Sequence, residues 1–461
     1  MRAGRGRRAN QRELSNKMKY LFAGAVIAAA IGGFAHGQNP VEGEQAYSPL
    51  GQYVRVNPAV SLAMTDTQEF VTGDAPWLLR ARRAGVIDAN TLTIGGYFKA
   101  AQFFERTDTA GKFPILNRFP NQHGPGTRND DFVVNAAGIA FTGTLGDWLT
   151  GYLQYEYSEV TFTGDQNQVQ AREFYAVLGN LDVFGGYIAY GRKTIDFGEQ
   201  TGYNPFTHTI NQHFFWTLAD SPVVELGYIG DDWRVSATLA DGDRMLRTGQ
   251  TLDRNGGLGS NFALKAERVF RFDEARALRI SASYLHDTIY NNNFTAHTFQ
   301  AINRFGPPNA PRPPRVYIAE RVGLWDVAAE YTTPRYDLAV EYTQTTRPWV
   351  AVSYNNDTGQ PLPGARELSA LSIMGRYRTE VAGYDATLAA VLSGSILGPD
   401  GTEFDAVYQH VISGELHLNR FVDLGVELVL NEGWQPFVGI QDVADSSVQS
   451  QALLIGLTAR F

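Results

Sequence analysis

The sequence predicts an all-β fold: a transmembrane antiparallel β-barrel of about 16 strands, with short periplasmic turns and long extracellular loops. Three observations predict it. From residue 90 onward, stretches of roughly 8–14 residues alternate apolar and polar side chains, the period-two pattern of strands with one apolar face. The connections between those stretches alternate short and long. Finally, the chain ends on ALLIGLTARF (452–461), where Leu453, Ile455, Leu457, Ala459 and Phe461 share one face and Ala452, Leu454, Gly456, Thr458 and Arg460 the other. A frayed terminus has no need of an apolar stripe, whereas a closing strand pressed against lipid does.

Before the barrel come two segments of other character. Arg2, Arg5, Arg7, Arg8, Arg12, Lys17 and Lys19 precede an uncharged run, Tyr20 to Phe34, and a small-x-small site, Ala35-His36-Gly37. Residues 1–37 therefore read as a cleaved secretory signal peptide, the apolar run being too short for a spanning anchor. Met18 with Lys19 would start a signal equally well. Residues 38–89 read as a polar periplasmic segment that either links or docks. Within it, APWLLRARRAGVID predicts one short helix, Pro76 to Ala84.

Sixteen strands follow, at about 91–105, 132–144, 148–162, 171–179, 184–191, 222–229, 233–240, 260–271, 277–288, 322–333, 336–346, 368–380, 384–394, 404–418, 422–431 and 450–461. Short turns include LGDW (145–148), NLDV (180–183), GDDW (230–233), FDEAR (272–276), TPR (333–335) and NRF (419–421). The long connections include 106–131, 192–221, 241–259, 289–321, 347–367 and 433–449. A soluble sandwich has no reason to sort its loops by rim; a bacterial outer-membrane barrel does. The faces agree. Leu149, Leu153, Tyr155 and Tyr157 oppose Thr150, Gln154, Glu156 and Ser158, and Tyr336, Leu338, Val340 and Tyr342 oppose Asp337, Ala339, Glu341 and Thr343. Trp148, Trp233, Tyr336 and Tyr384 stand near strand ends, where an aromatic girdle belongs.

Composition removes competing classes. After residue 37 no apolar run is long enough for a spanning helix. There is no Cys, hence no disulfide and no thiolate metal site. Of 39 basic and 48 acidic residues, the first 37 positions hold seven and one, leaving 32 against 47 and a net charge of −15. Such an acidic chain argues against nucleic-acid binding. No Gly-x-Ser-x-Gly elbow, His-Glu-x-x-His or phosphate loop is present, so no enzyme activity is expected. His410 and His417 fall on opposite faces of one strand, and the loop histidines His208 and His213 with Asp220 read as ordinary loop residues. Neither a cofactor nor a metal is expected. The Pro-rich FGPPNAPRPPR (305–315) reads as a stiff, solvated loop.

Sixteen strands enclose an aqueous channel, which points to a porin passing small hydrophilic solutes by passive diffusion. Loop 192–221 (RKTIDFGEQTGYNPFTHTINQHFFWTLADS) is expected to fold inward and narrow the lumen. Its constriction candidates are Arg192, Lys193, Asp196, Glu199 and Asp220, facing Arg376 and Arg378 or Glu341 across the pore. The predicted wall carries Glu156, Glu173, Glu225, Arg234, Lys265, Arg279, Asp326, Glu330, Glu341, Arg376, Arg378 and Glu427. Acid and base are mixed with acid in slight excess, so the pore is expected to be neutral or weakly cation-preferring rather than an arginine-lined anion channel.

The stretch GRKTIDFG (191–198), between EFYAVLGNLDVFGGYIAYG and DSPVVELGY, resembles the fifth-strand region of siderophore porins of the legiobactin-receptor type. More loosely it is similar to the phosphate-selective porin O/P group, and RAGVIDANTLTIGGYFKAA (83–101) resembles the entry of such chains into their first strand. Asp196 stands where those chains carry proline, and NPF (204–206) replaces an Asp-Pro-Leu-like triplet. The resemblance implies, as an alternative, a substrate-specific, plug-free porin for a siderophore or an anion, and a homotrimer in the outer membrane. The terminal Phe461 likewise resembles the signal read by the barrel-assembly machinery. Energy-coupled receptors, with 22 strands and a large plug domain, do not fit the short stretch before the first strand.

Overall fold

The computed structural model describes residues 53–66, 72–114, 126–159, 169–215, 217, 222–241, 257–286, 322–347, 367–396, 406–434 and 445–461. A short strand β1 (Val54–Val56) is followed by helices α1 (Pro58–Thr65) and α2 (Asp74–Arg83). Sixteen strands come next: β2 (Leu92–Thr107), β3 (Arg128–Leu145), β4 (Leu149–Tyr157), β5 (Gln170–Asn180), β6 (Phe184–Arg192), β7 (Val223–Ile229), β8 (Trp233–Asp241) and β9 (Leu258–Arg271) form one half. The other half is β10 (Ala277–Leu285), β11 (Leu324–Thr332), β12 (Tyr336–Thr345), β13 (Ser369–Val381), β14 (Tyr384–Ile396), β15 (Ala406–Asn419), β16 (Val422–Trp434) and β17 (Asp445–Arg460). A third helix, α3 (Ile210–Phe215), lies in the connection from β6 to β7.

All sixteen pair antiparallel with their chain neighbours, and β17 returns to β2, with Leu454 opposite Phe103 and Arg460 opposite Tyr97. Closure leaves no open edge, which lipid would punish because unpaired backbone groups there have no water to bond. The third predicted strand ends earlier than expected, at Tyr157, and α2 begins two residues before the predicted helix start. Gly73 supplies the left-handed residue that starts α2, at φ 88°.

The pleat sorts side chains as the period demands. Val340, Ile373, Leu388, Ile412, Leu428 and Ile455 are exposed on the outer face, while Thr150, Gln154, Glu225, Ser372 and Glu427 are buried within. At the short-turn rim, Trp148, Phe184, Trp233, Phe272, Tyr336 and Tyr384 are exposed, and Tyr228 stacks on Trp233 at 5.2 Å. The two-residue turn Ala382-Gly383 has φ of 55° and 85°, the two positive values of a turn that matches strand twist. No helix among the described residues is long and apolar enough to cross a membrane; the spans are strands.

Candidate functional site: the lumen and its third loop

The connection after β6 turns into the barrel and crosses it. Its stem is closed by Ile195 N–H donating to the Thr217 carbonyl at 2.9 Å, with the Thr217 hydroxyl donating back to the Ile195 carbonyl at 2.9 Å. Between those positions nearly every described residue is buried. A loop over the mouth would be wet; this one has wall side chains on its flanks.

The first half of the loop is held by ion pairs. The Lys193 ammonium donates to Glu225 at 2.6 Å, and Glu173 accepts from the Thr194 N–H and hydroxyl at 2.8 Å each. Asp196 pairs with Arg234, accepts from the Ser236 hydroxyl at 2.6 Å and lies 3.4 Å from Lys265. Glu199 lies 2.9 Å from Lys265 and pairs with Arg279. Burial alone would raise the Asp196 carboxyl, but Arg234 and Lys265 outweigh it and hold it below the usual carboxylate range. Burial acts the same way on Glu199, and Arg279 and Lys265 likewise win. The loop charges are thus neutralised by the β7–β10 wall, which is the condition for burying them at all.

The second half is held through its backbone. Glu341 accepts the N–H groups of Glu199 and Gln200 at 2.9 and 2.7 Å. Glu427, fully buried, accepts those of Phe206 and Thr207 at 2.6 and 3.0 Å and also the Thr207 hydroxyl. Tyr203 donates to Glu330 at 2.7 Å, and Asn211 of α3 donates to Thr343 and the Ala370 carbonyl at 3.0 and 3.1 Å. The Phe206 ring is 1% exposed because β16 and β17 carry glycine where it lands. A Cβ on Gly425 would stand 2.8 Å from that ring, and one on Gly456 2.7 Å. Both strands keep a notch for the loop tip.

The predicted residues therefore separate. Lys193, Asp196 and Glu199 lie in the lumen. Arg192 does not: it ends β6 in register with Phe174, on the face of Ile188 and Tyr190, because successive strand residues point to opposite sides. Asp220 lies outside the described residues. The predicted wall residues all point inward. The expected pairings are largely replaced: Asp196 meets Arg234 and Lys265, Glu199 meets Arg279, and of the expected partners Glu341 meets Glu199 through its backbone N–H. Arg376 stacks on the Tyr203 ring at 4.4 Å and shares Asp337 with Arg378. Further inward charges were missed, among them Lys99, Glu105, Arg172 and Glu267. Glu267, bonded to Arg234 at 3.1 Å, stands two residues beyond Lys265 and period two would have found it. Arg172, paired with buried Glu156, was not findable, because a bulge between Gln154 and Tyr155 turns it inward beside Glu173.

The lumen also holds N-terminal chain. Val60, Met64, Ala75, Leu78 and Leu79 form one cluster with the inward-facing Tyr152, Tyr175, Val177, Tyr187, Ala189 and Ile229. An inner wall this apolar cannot face water without cost, and the helices cover it.

No protein-family model matches the chain, and no curated protein does. Solved structures do. The fold is similar to that of an anion-selective porin from Comamonas acidovorans, with 11% identity over 80% of this chain and 99% of that one, at a TM-score of 0.50. It is similar to that of Salmonella typhi OmpF, solved with daunomycin, with 16% identity over 80% of this chain and 97% of that one, also at 0.50. The fold is a closed 16-strand barrel like that of outer-membrane porins.

Proposed function

We propose that the protein is a porin through which small hydrophilic solutes diffuse across the outer membrane, the lumen being narrowed by the third loop. The observation that carries this is the burial of the described loop residues between 193 and 217 within a closed barrel whose inner wall carries many polar and charged side chains. Lys193, Asp196 and Glu199 set the narrowing on one side of the loop. Their pairing leaves little net field there, so selectivity is weak, neutral or slightly cation-preferring. The chemistry is physical: water, opposed charges and a size limit, with no covalent step.

Export by a signal at residues 1–37, insertion by the barrel-assembly machinery through Phe461, and a homotrimer belong to the same reading. A finer reading, a porin specific for a siderophore or an anion, draws on the resemblance of residues 191–198 and on the half-exposed Arg279, Arg376 and Arg378. One experiment separates them: conductance of the refolded chain, residues 38–461, in a planar bilayer across a salt gradient. Steps in threes with a near-zero or cation-directed reversal potential support the general trimeric porin. An anion-directed potential, with current block by phosphate, supports the specific one. A silent, correctly inserted barrel overturns both.

A further inference from the structure

The inner wall is covered unevenly. On β2–β9 the inward side chains of the short-turn half are almost all buried: Thr93, Tyr97, Thr142, Tyr152, Val177, Tyr187 and Arg234. On β10–β17 several of the corresponding positions are half-exposed, among them Arg279, Glu330, Arg376, Arg378, Glu415 and His417, while Asp337, Ala386 and Asp423 are buried. What covers the first side is the N-terminal segment. We infer that residues 53–66 and 72–90 are a fixed lumen filler, a second constriction below the third loop, and that they confine the solute path to the β10–β17 half. This inference rests on the porin reading for the existence of a path, but not for the seating of the segment.

The seat is built for this segment at both ends. The Ser61 hydroxyl donates to the carbonyl of the terminal Phe461 at 2.5 Å, and a Cβ on inward-facing Gly95 would fall 2.0 Å from the Ser61 oxygen, so only glycine admits α1 there. β1 pairs in parallel with β2, Val54 opposite Leu92. The Tyr152 hydroxyl donates to the Met64 carbonyl at 3.0 Å, and Asp66 lies 3.4 Å from Lys99. Where the segment rises highest it meets the third loop: the Thr72 hydroxyl donates to the Gly198 carbonyl at 2.9 Å, and Lys265 donates to both at 3.2 and 2.6 Å. On its way down, Leu78 and Leu79 enter the tyrosine-lined patch, and Arg82 donates to Thr150 at 2.9 Å and to the Gly146 carbonyl of a short turn at 2.6 Å.

These contacts describe a fixture rather than a gate. Its apolar face is buried by side chains of five different strands, β3 to β7, and its polar atoms are bonded to wall and loop together. Opening the third loop alone would leave the path half blocked. The solute is then read by the uncovered wall, where half-exposed Arg279, Arg376 and Arg378 stand with Glu330 and Glu415, the two lower arginines paired with buried Asp337. That wall suits small solutes carrying both charges better than a singly charged ion.

The chain has no native Cys, so single reporters test the seating without reference to conduction. In the reconstituted full mature chain, Leu62→Cys, at a position 39% exposed, should react readily with a membrane-impermeant maleimide. Ala75→Cys, at a fully buried position, should react roughly tenfold more slowly or less, since it must wait for local opening. Equal rates would overturn the inference while leaving the porin reading intact. The second arm is the double variant Leu78→Asp, Leu79→Asp, checked for a folded barrel by heat-modified gel mobility. Its unit conductance should exceed that of the unmodified chain, and Ala75→Cys in that background should become reactive. Reactivity gained with no change in conductance would overturn the role as a constriction. A silent unmodified chain and a conducting variant would uphold the filler and overturn the freely open pore.

Discussion

Glu427→Ala is the perturbation that should loosen the third loop most directly. The carboxylate takes three hydrogen bonds from the loop tip, two of them from backbone N–H groups at 2.6 and 3.0 Å. Hydrogen bonds to a charged acceptor contribute roughly 1.5–3 kcal/mol each, so three amount to about 5–9 kcal/mol gross. Removing a buried carboxylate also removes its desolvation cost, several kcal/mol. The net loss is therefore about 2–4 kcal/mol, a shift of roughly 30- to 900-fold in the docking equilibrium. Glu427→Gln is the control. Its amide oxygen still accepts both backbone N–H groups and its amide nitrogen can donate to the Thr207 oxygen, so it should lie within about 1 kcal/mol of the parent. The assay is limited proteolysis of the loop beside unit conductance in a planar bilayer. The alanine variant should be cleaved faster between residues 193 and 217 and should conduct more; the glutamine variant should do neither. If a folded alanine variant matches the glutamine variant in both, the carboxylate does not hold the loop and the argument fails.

Three further outcomes follow from the same structure. Arg234→Ala leaves Asp196 and Glu267 buried with a lone Lys265 or Arg279 nearby, and should cost roughly 3–5 kcal/mol in urea unfolding from liposomes. Val340→Arg places a charge on the outer face in register with Ala329 and Ile373, and should destabilise the barrel by about 2–4 kcal/mol in the same assay. Asp74 sits buried at the start of α2 near Glu173 and Glu225 with Lys193 opposing; burial first, then Glu173, pushes its carboxyl above the ordinary aspartate range. A carboxyl raised in the folded state contributes stability at acid pH that is lost as pH rises through the interval above the ordinary value. Asp74→Asn should therefore flatten part of the decline in melting temperature as pH rises above the ordinary aspartate range; an unchanged slope would refute a raised Asp74 carboxyl.

Asp196 and Glu199 carry the opposite sign. Their carboxyls are depressed by arginine and lysine partners, so their contribution is present above the ordinary carboxylate range and lost only as pH falls below it. The ion pairs that hold the first half of the loop should accordingly persist across neutral and mildly acid conditions.

Much was legible in the sequence because a strand between lipid and water writes its two faces into every second residue. The sixteen spans, the short and long rims, the girdle Trp148 and Trp233, and the inward Glu156, Lys265 and Glu427 all follow from that period. The same period, applied at Arg192, places it outward, since its neighbour Lys193 faces the lumen. What the period cannot carry is any departure from it or any contact across the barrel. The bulge that turns Arg172 inward is one inserted residue and leaves no local mark. Which wall carboxylate meets which loop residue depends on chain segments more than a hundred positions apart, as for Glu341 with Glu199 or Glu427 with Phe206. Residues 53–90 read as a polar segment with one short helix; that its leucines close over Tyr152, Tyr175 and Tyr187 depends on a patch assembled from β4 to β7. Local alternation determined the barrel, because lipid is a uniform solvent that asks the same of every strand. Tertiary structure alone decided how the lumen is filled, because the inner wall's partners come from elsewhere in the chain.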